Sequence, residues 1–174
     1  MFGRGIARAK MGDPDGAIAD FNEAIRLNPN YARAYNNRSA AWQAKGDEVK
    51  SIQDAAEAVR LNPADAEAYY NRGSSKGRTG DLEGSIVDLT EAIRLRPENP
   101  DYYCNRGISH ERKRDYVAAI ADFTEAIRLR ANYANAYSHR GASREKSGDI
   151  LGAISDSNQV VLIHAQADHK KGNK

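Results

Sequence analysis

The sequence predicts an all-α solenoid of about five helix–turn–helix repeats. The first observation is a fixed period, because the same residue type recurs at steps of 34 positions. The recurring residues are Arg4, Arg38, Arg72, Arg106 and Arg140, and likewise Asp20, Asp54, Asp88, Asp122 and Asp156. The second observation is helical spacing of apolar residues in the latter half of each copy, and the third is a Gly-Asp pair before it. A period of this size indicates stacked repeats that bury a core between neighbours.

Repeat boundaries follow from this register. We place them at about residues 1–31, 32–65, 66–99, 100–133 and 134–165, so that a single domain spans residues 1–165. Residues 166–174 form a polar and basic tail. Neither end shows the polar cap that a solenoid needs, so self-association through the terminal repeats is expected.

The third repeat shows the expected elements. Its first helix is predicted over about Ala66–Thr79 and is followed by Gly80 and Asp81. Glycine tolerates the left-handed conformation that ends a helix, and aspartate is a favoured N-cap of the next helix. The pair recurs at Gly12-Asp13, Gly46-Asp47 and Gly148-Asp149, with Arg114-Asp115 as the variant.

The second helix of the third repeat is amphipathic. Its apolar residues Leu82, Ile86, Leu89 and Ile93 follow at steps of four, three and four, which predicts one buried stripe. Small residues recur in the first helices, where two helices must approach closely. They are Gly5, Gly73, Gly107 and Gly141. A larger side chain there would overpack the crossing, at a cost of roughly 1–3 kcal/mol.

Composition argues against several classes of function. The 26 basic and 24 acidic residues leave a net charge of +2, which favours neither nucleic acid nor an anionic membrane as a partner. No apolar run is long enough to span a bilayer, and the first residues lack the apolar segment of a secretory signal. A cytoplasmic location is the default expectation. Cys104 is the single cysteine, and the histidines lack zinc-like spacing, so no catalysis, metal or cofactor is expected.

The recurring arginine and aspartate are predicted to lie on facing helices of one hairpin. A partly buried charge needs a partner, so we interpret these residues as structural ion pairs that fix the register of the helices. The pairs are Arg38 with Asp54, Arg72 with Asp88, and Arg106 with Asp122, with equivalents in the terminal repeats. Arginine side chains that reach a ligand carboxylate are the alternative.

Period, helix–turn–helix unit and consensus together resemble one family. The pattern Tyr-x-x-Arg-Gly, as at Tyr69–Gly73, followed by Ala-x-x-x-Phe, as at Ala119–Phe123, resembles the tetratricopeptide repeat in a bacterial-type Asn-Arg-Gly form. The resemblance implies a right-handed superhelix whose first helices line a concave face. The sequence departs from the family at one position of the first helix where an aromatic residue is usual, and only Trp42 is aromatic there. The other copies have Arg8, Lys76, His110 and Arg144.

An asparagine precedes the recurring arginine in the three central repeats: Asn37, Asn71 and Asn105. The resemblance places this row on the concave face, where it is similar to the asparagine ladder of peptide-binding superhelices. An amide can bond both the N–H and the C=O of an extended peptide backbone. The alternative is that these asparagines cap or hydrate their own helices. The same face is predicted to present Arg33, Asn36, Glu67, Tyr70, Arg78 and Arg112, together with Cys104 and Ile108.

The sequence therefore favours a non-enzymatic scaffold that binds an extended peptide or partner segment in a concave groove. The partner would be a protein or peptide of unknown identity. A structural, self-assembling segment of a larger repeat protein, with no ligand of its own, is the alternative function.

Overall fold

In a computed structural model, the backbone is described for residues 1–172 and the side chains for residues 1–166. Ten helices and no strand occupy this part of the chain, which confirms the all-α helical repeat solenoid. The helices are α1 (Phe2–Lys10), α2 (Pro14–Leu27), α3 (Ala32–Ala44), α4 (Glu48–Leu61), α5 (Ala66–Thr79), α6 (Leu82–Leu95), α7 (Pro100–Arg112), α8 (Tyr116–Leu129), α9 (Ala134–Ser147) and α10 (Ile150–Gly172). The predicted polar tail lies mostly outside the described side chains.

The helices group into two compact units that divide after Pro97. In the first unit, α1 to α6 form three hairpins in which each helix packs on the next. The odd-numbered helices also contact one another, α1 with α3 and α3 with α5. The first unit therefore has one side formed by α1, α3 and α5.

The second unit, from Glu98 onward, repeats this arrangement with α7 to α10. Its two hairpins join through α8 and α9, and α7 contacts α9. A core cluster of Cys104, Ala119, Phe123, Ala126 and Ala136 links three of these helices. In the first unit, the corresponding cluster holds Ala17, Ile18, Phe21 and Ala41.

Local sequence signals account for where the helices begin and end. Asp81 accepts a hydrogen bond from the backbone N–H of Gly84 at 2.9 Å, and its four equivalents cap their helices in the same way. Gly80 takes a φ of 97°, the left-handed conformation that ends α5. Arg114 occupies the same place with a φ of 64°, which is unfavourable for a residue with a side chain.

The core is built mainly from small side chains. Gly107 lies so close to Phe123 that an added Cβ would stand 2.8 Å from the ring. In the predicted apolar stripe of α6, Leu89 is fully buried, whereas Ile86 and Ile93 are partly buried. The close helix crossing therefore depends on the glycine and on the one central apolar residue of the second helix.

No helix in the described part of the chain combines the length and apolarity needed to cross a membrane.

Candidate peptide-binding groove

The side of the first unit formed by α1, α3 and α5 carries two adjoining cavities. The first, of about 500 Å³, lies between α1 and α3 and has an alanine-rich lining. The second, of about 440 Å³, lies between α3 and α5 and has a polar lining. Asn37 and Ala40 line both cavities. We call this combined surface the groove, and its full lining is Ala9, Lys10, Gly12, Pro14, Arg33, Asn36, Asn37, Ala40, Ala41, Ala44, Asp65, Glu67, Asn71 and Arg96.

The asparagines differ in how much of each amide is available. Asn37 is partly exposed, and its Nδ2 donates to the backbone oxygen of Arg33 at 2.7 Å. Asn71 is only 8% exposed, and its Nδ2 donates to Oδ1 of Asn36 at 2.7 Å. The sequence predicted that Asn71 faces a partner, whereas the structure shows that its side chain ties α5 to α3. Asn37 and Asn36 are the amides that line the groove with partly exposed side chains.

Several charged residues predicted to meet a ligand are already paired inside the array. Glu67 accepts from Nη1 of Arg96 at 3.0 Å. Arg78 binds both carboxylate oxygens of Glu48, at 2.5 and 2.7 Å, and so joins α5 to α4. Asp65 caps α5 through the N–H of Glu67. The Glu67–Arg96 and Arg78–Glu48 contacts each join opposite charges, whereas the carboxylate of Asp65 keeps its negative charge beside the groove.

Two cations in the groove have no acidic partner among the described residues. Lys10 lines the first cavity and is exposed. Arg33 lines the second cavity and is exposed, and its guanidinium lies 5.7 Å from the ring centroid of Phe2. Each cation shares its cavity with Asn37. The first cavity has a net positive lining, whereas in the second cavity the carboxylate of Asp65 offsets the charge of Arg33.

In the second unit, α7 and α9 carry the corresponding face. Nδ2 of Asn105 donates to the backbone oxygen of Asp101 at 2.9 Å, as Asn37 does to Arg33. Asp101 also accepts from Arg130 at 3.0 Å and from the hydroxyl of Tyr133 at 2.7 Å. His139 takes the equivalent place in α9, and its Nδ1 lies 2.7 Å from a carboxylate oxygen of Glu111.

Cys104 and Ile108 were predicted to be presented on this face, but the structure places both against the core. Cys104 is fully buried in the core, and Ile108 is partly buried where it packs against the same core cluster. Burial raises the pKa of the Cys104 thiol, because a thiolate would lose its hydration there. Of the remaining predicted residues, Tyr70 is half-exposed on α5 and Arg112 is exposed at the end of α7.

The structure brings every predicted arginine–aspartate pair together. Arg72 donates to Asp88 from Nε and Nη2 at 2.8 and 2.7 Å. The same geometry joins Arg38 to Asp54, Arg106 to Asp122 and Arg140 to Asp156, and Arg4 also binds Asp20 through two nitrogens. The hydrogen bond from Arg4 keeps the pKa of Asp20 below its usual value.

A second donor to four of the five aspartates was missed by the sequence analysis. Lys76 lies 2.9 Å from Asp88, and Nε1 of Trp42 donates to Asp54 at 3.1 Å. Arg8 and Arg144 do the same for Asp20 and Asp156, whereas His110, at 3.9 Å from Asp122, lies beyond hydrogen-bond distance. These residues occupy the position where the family usually has an aromatic side chain, and four of the five carry a basic group instead. The replacement of an aromatic residue by a basic one at this position could have indicated that these side chains lie near the recurring aspartates.

No group of three histidine, cysteine, aspartate or glutamate side chains within the described residues could hold a metal ion.

Fold and groove together define a helical repeat protein in which the first helices of each unit contact one another along one side of that unit. Residues 5–46 and 78–113 match the family model described as TPR repeat, and residues 100–133 match that described as tetratricopeptide repeat. The matches cover more than half of the sequence. The chain belongs to the tetratricopeptide repeat family.

Solved structures show the same fold. A crystal structure of MamA superposes with a TM-score of 0.85 at 22% identity, over 95% of this chain and 96% of that chain. A MamA structure, residues 41 to the end, from Desulfovibrio magneticus RS-1 gives 0.86 at 16% identity, over 95% and 94%. YrrB, described as a TPR protein with an unusual peptide-binding site, gives 0.77 at 16% identity, over 98% and 90%. Among curated protein sequences, none matches this chain.

Proposed function

We propose that the protein is a non-enzymatic scaffold that binds an extended peptide or partner segment in the groove. The observation that carries this proposal is the position of Asn37, which lies where the two cavities meet. Its Nδ2 is used within α3, and its Oδ1 can accept from a ligand backbone N–H. A segment lying along α1, α3 and α5 would pass this amide.

The other asparagines support binding in different ways. Asn71 accounts for the orientation of Asn36, because it donates to Oδ1 and leaves the Asn36 Nδ2 to face a ligand carbonyl. Asn105 repeats the geometry of Asn37 in the second unit and would offer its own amide to a ligand. The proposed backbone contacts in the groove are therefore made by Asn36 and Asn37, with Asn71 as a positioning residue.

Charge in the groove favours a ligand with acidic side chains. Glu67 and Arg78 are held by Arg96 and Glu48. Lys10 has no acidic residue in its cavity, whereas Arg33 shares its cavity with Asp65. A carboxylate near either cation would gain Coulomb energy that a neutral side chain would not, and this gain weakens as salt is added. The alanine floor formed by Ala40, Ala41 and Ala44 leaves room for the ligand's own side chains.

Family membership and one structural relative are consistent with this proposal. The chain belongs to the tetratricopeptide repeat family, and YrrB is described as a TPR protein with an unusual peptide-binding site. The groove in this chain contains no cluster of nucleophile, base and oxyanion donors that would suggest catalysis among the described residues. Binding alone accounts for its features.

The test is selection from a displayed library of random linear peptides, followed by affinity measurement by fluorescence anisotropy. Enriched peptides are expected to be acidic and to bind more weakly at higher salt. Asn37→Ala is expected to weaken binding about tenfold. Gln53→Ala, an exposed amide on α4 outside the groove, is the matched control and should change nothing. Equal affinity for both variants would contradict the proposal.

A structural, self-assembling role without a ligand of its own is the second candidate. The observation that favours it is a set of exposed apolar residues on α10, namely Ile150, Leu151, Ile154, Val161 and Leu162.

A further inference from the structure

One face of α10 is exposed although the equivalent positions in α2 and α8 pack against a following first helix. Ile154 is 53% exposed, whereas Ile18, at the same repeat position in α2, is 6% exposed. Ile18 belongs to a core cluster that includes Ala41 of α3. The first helix of the following repeat therefore covers this position in the first unit.

The second unit shows the same coverage at a position two helical turns after Ile154. Val161 is exposed on α10. Its counterpart Ile127 in α8 packs against the cluster that contains Ala136 of α9. Positions equivalent to Ile154 and Val161 are thus the ones that a following first helix covers.

Exposure alone does not single out this face, and a neighbouring residue shows why. Leu151 is 82% exposed, and its counterpart Val117 in α8 is 79% exposed although α9 follows. Leu151 therefore occupies ordinary surface. The face formed by Ile154, Asn158 and Val161 is the surface on which a first helix would pack, and we call it the tail surface.

A hydrogen bond accompanies this packing in both units. Nη1 of Arg38 donates to Oδ1 of Asn22 on the preceding helix at 2.6 Å, and Nη1 of Arg140 donates to the hydroxyl of Thr124 at 3.1 Å. Asn158 occupies the equivalent position in α10 and has no hydrogen-bond partner among the described side chains. The tail surface thus offers an acceptor for an arginine of a following first helix.

The matching donor surface is found on α1. Arg4 is equivalent to Arg38 and Arg140, and its side chain is 59% exposed, against 19% and 11% for those two. Its Nε and Nη2 bind Asp20, which leaves Nη1 without a partner among the described residues. Ala7 is exposed, whereas its counterpart Ala41 is buried beside Ile18. We call Arg4 and Ala7 the head surface.

We propose that two copies of this chain associate head to tail, with α1 of one copy packed on α10 of the other. Ala7 would cover Ile154 as Ala41 covers Ile18, and Nη1 of Arg4 would donate to Asn158 as Arg38 does to Asn22. The interface joins two different surfaces, so each pair keeps one free head and one free tail and can grow further. This association is independent of ligand binding in the groove.

Sedimentation velocity of the full chain, from micromolar to millimolar concentration, tests the proposal. The unsubstituted chain is expected to form species larger than a dimer as concentration rises. Ile154→Lys is expected to weaken association at least about tenfold, because a charge would replace an isoleucine that the proposed interface buries. Leu151→Lys adds the same charge to the same helix outside the tail surface and should associate as the unsubstituted chain does. Circular dichroism checks that each variant keeps its helices.

Mixing two blocked variants tests the head-to-tail geometry itself. Ile154→Lys blocks the tail and Ala7→Lys blocks the head, so each variant alone should be monomeric. An equimolar mixture retains one working head and one working tail and should give heterodimers and nothing larger. The proposal is overturned if the unsubstituted chain stays monomeric, if Ile154→Lys associates normally, or if the mixture stays monomeric. A partner helix from another protein would then be the remaining occupant of the tail surface.

Discussion

Arg72 and Asp88 form a two-point ion pair, with Nε and Nη2 of the guanidinium 2.8 and 2.7 Å from the carboxylate oxygens. Asp88 is almost completely buried, and Lys76 reaches the same carboxylate at 2.9 Å. In the preceding repeat, Asp54 receives Arg38 and the neutral indole N–H of Trp42. The five aspartates thus share one arginine geometry and differ in the second donor.

The second donor should decide how much each arginine matters for stability. Arg38→Leu leaves Asp54 with a neutral donor, whereas Arg72→Leu leaves Asp88 beside a lysine. Both variants place leucine in the same kind of site within the first unit. We expect Arg38→Leu to lower the free energy of unfolding by about 1–2 kcal/mol more than Arg72→Leu, because a buried carboxylate without a cation is costly. Urea unfolding measures the difference, and equal losses would contradict this account of the second donor.

The glycines of the first helices should differ in their tolerance of a methyl group. A Cβ at Gly107 would lie 2.8 Å from the ring of Phe123, whereas at Gly141 the nearest atom is Cβ of Asp156 at 3.3 Å. Gly107→Ala is expected to destabilise the chain by roughly 1–3 kcal/mol through overpacking. Gly141→Ala should cost less, because its contact is less close and the helix propensity of alanine offsets part of the crowding. Thermal unfolding of both variants checks this order, and a larger loss for Gly141→Ala would contradict it.

Arg114 offers a stabilising substitution. Its φ of 64° lies in the left-handed region, where the four equivalent positions have glycine. Arg114→Gly is expected to raise the free energy of unfolding by about 1 kcal/mol, since the side chain no longer opposes this conformation. Lys113→Gly is the control, because Lys113 has an ordinary φ of −76° and gains nothing from glycine. Differential scanning calorimetry should show a higher Tm for the first variant alone.

Asp101 should contribute to acid sensitivity. Burial raises the pKa of Asp101, but hydrogen bonds from Arg130 and Tyr133 outweigh burial and leave the pKa below its usual value. A carboxyl with a lowered folded-state pKa adds stability that is present above its unfolded pKa, near 3.9 for aspartate, and lost as pH falls through the folded value. We therefore expect Asp101→Asn to cost stability at neutral pH and progressively less below about pH 4.

Urea midpoints of the unsubstituted chain and of Asp101→Asn, measured across this pH range, report the contribution of Asp101. Tyr133→Phe keeps the carboxyl and its Arg130 contact, so it should retain more of the acid dependence than Asp101→Asn. A difference between the unsubstituted chain and Asp101→Asn that stays constant with pH would show that Asp101 is not the titrating group.

The repeat period explains why so much of the fold could be predicted. One turn such as Gly80-Asp81 carries a glycine for the left-handed end of α5 and an N-cap for α6, and the period places its copies. The same register put Arg72 opposite Asp88, because both recur and a charge in a hairpin needs a partner. Helices, turns and the recurring ion pairs were accessible for this reason.

Contacts between positions whose residue type changes from repeat to repeat could not be predicted in the same way. Arg78 binds Glu48 on a helix of the preceding repeat, but other repeats have no such pair at these positions. The burial of Asn71 depends on Asn36, whose equivalents in the next two repeats are Tyr70 and Cys104. A repeat pattern describes what copies share, whereas the groove is shaped by what they do not share.

The most direct test of peptide binding in the groove is a nuclear magnetic resonance titration of the isotope-labelled chain with an acidic peptide selected from the library. If the groove binds the peptide, the side-chain amide of Asn37 and the backbone amides of Ala40 and Ala44 should shift in proportion to occupancy. The side-chain amide of Gln53 on α4 should stay unchanged. Shifts confined to α2 and α4, with the Asn37 amide unaffected at saturation, would contradict the proposed function.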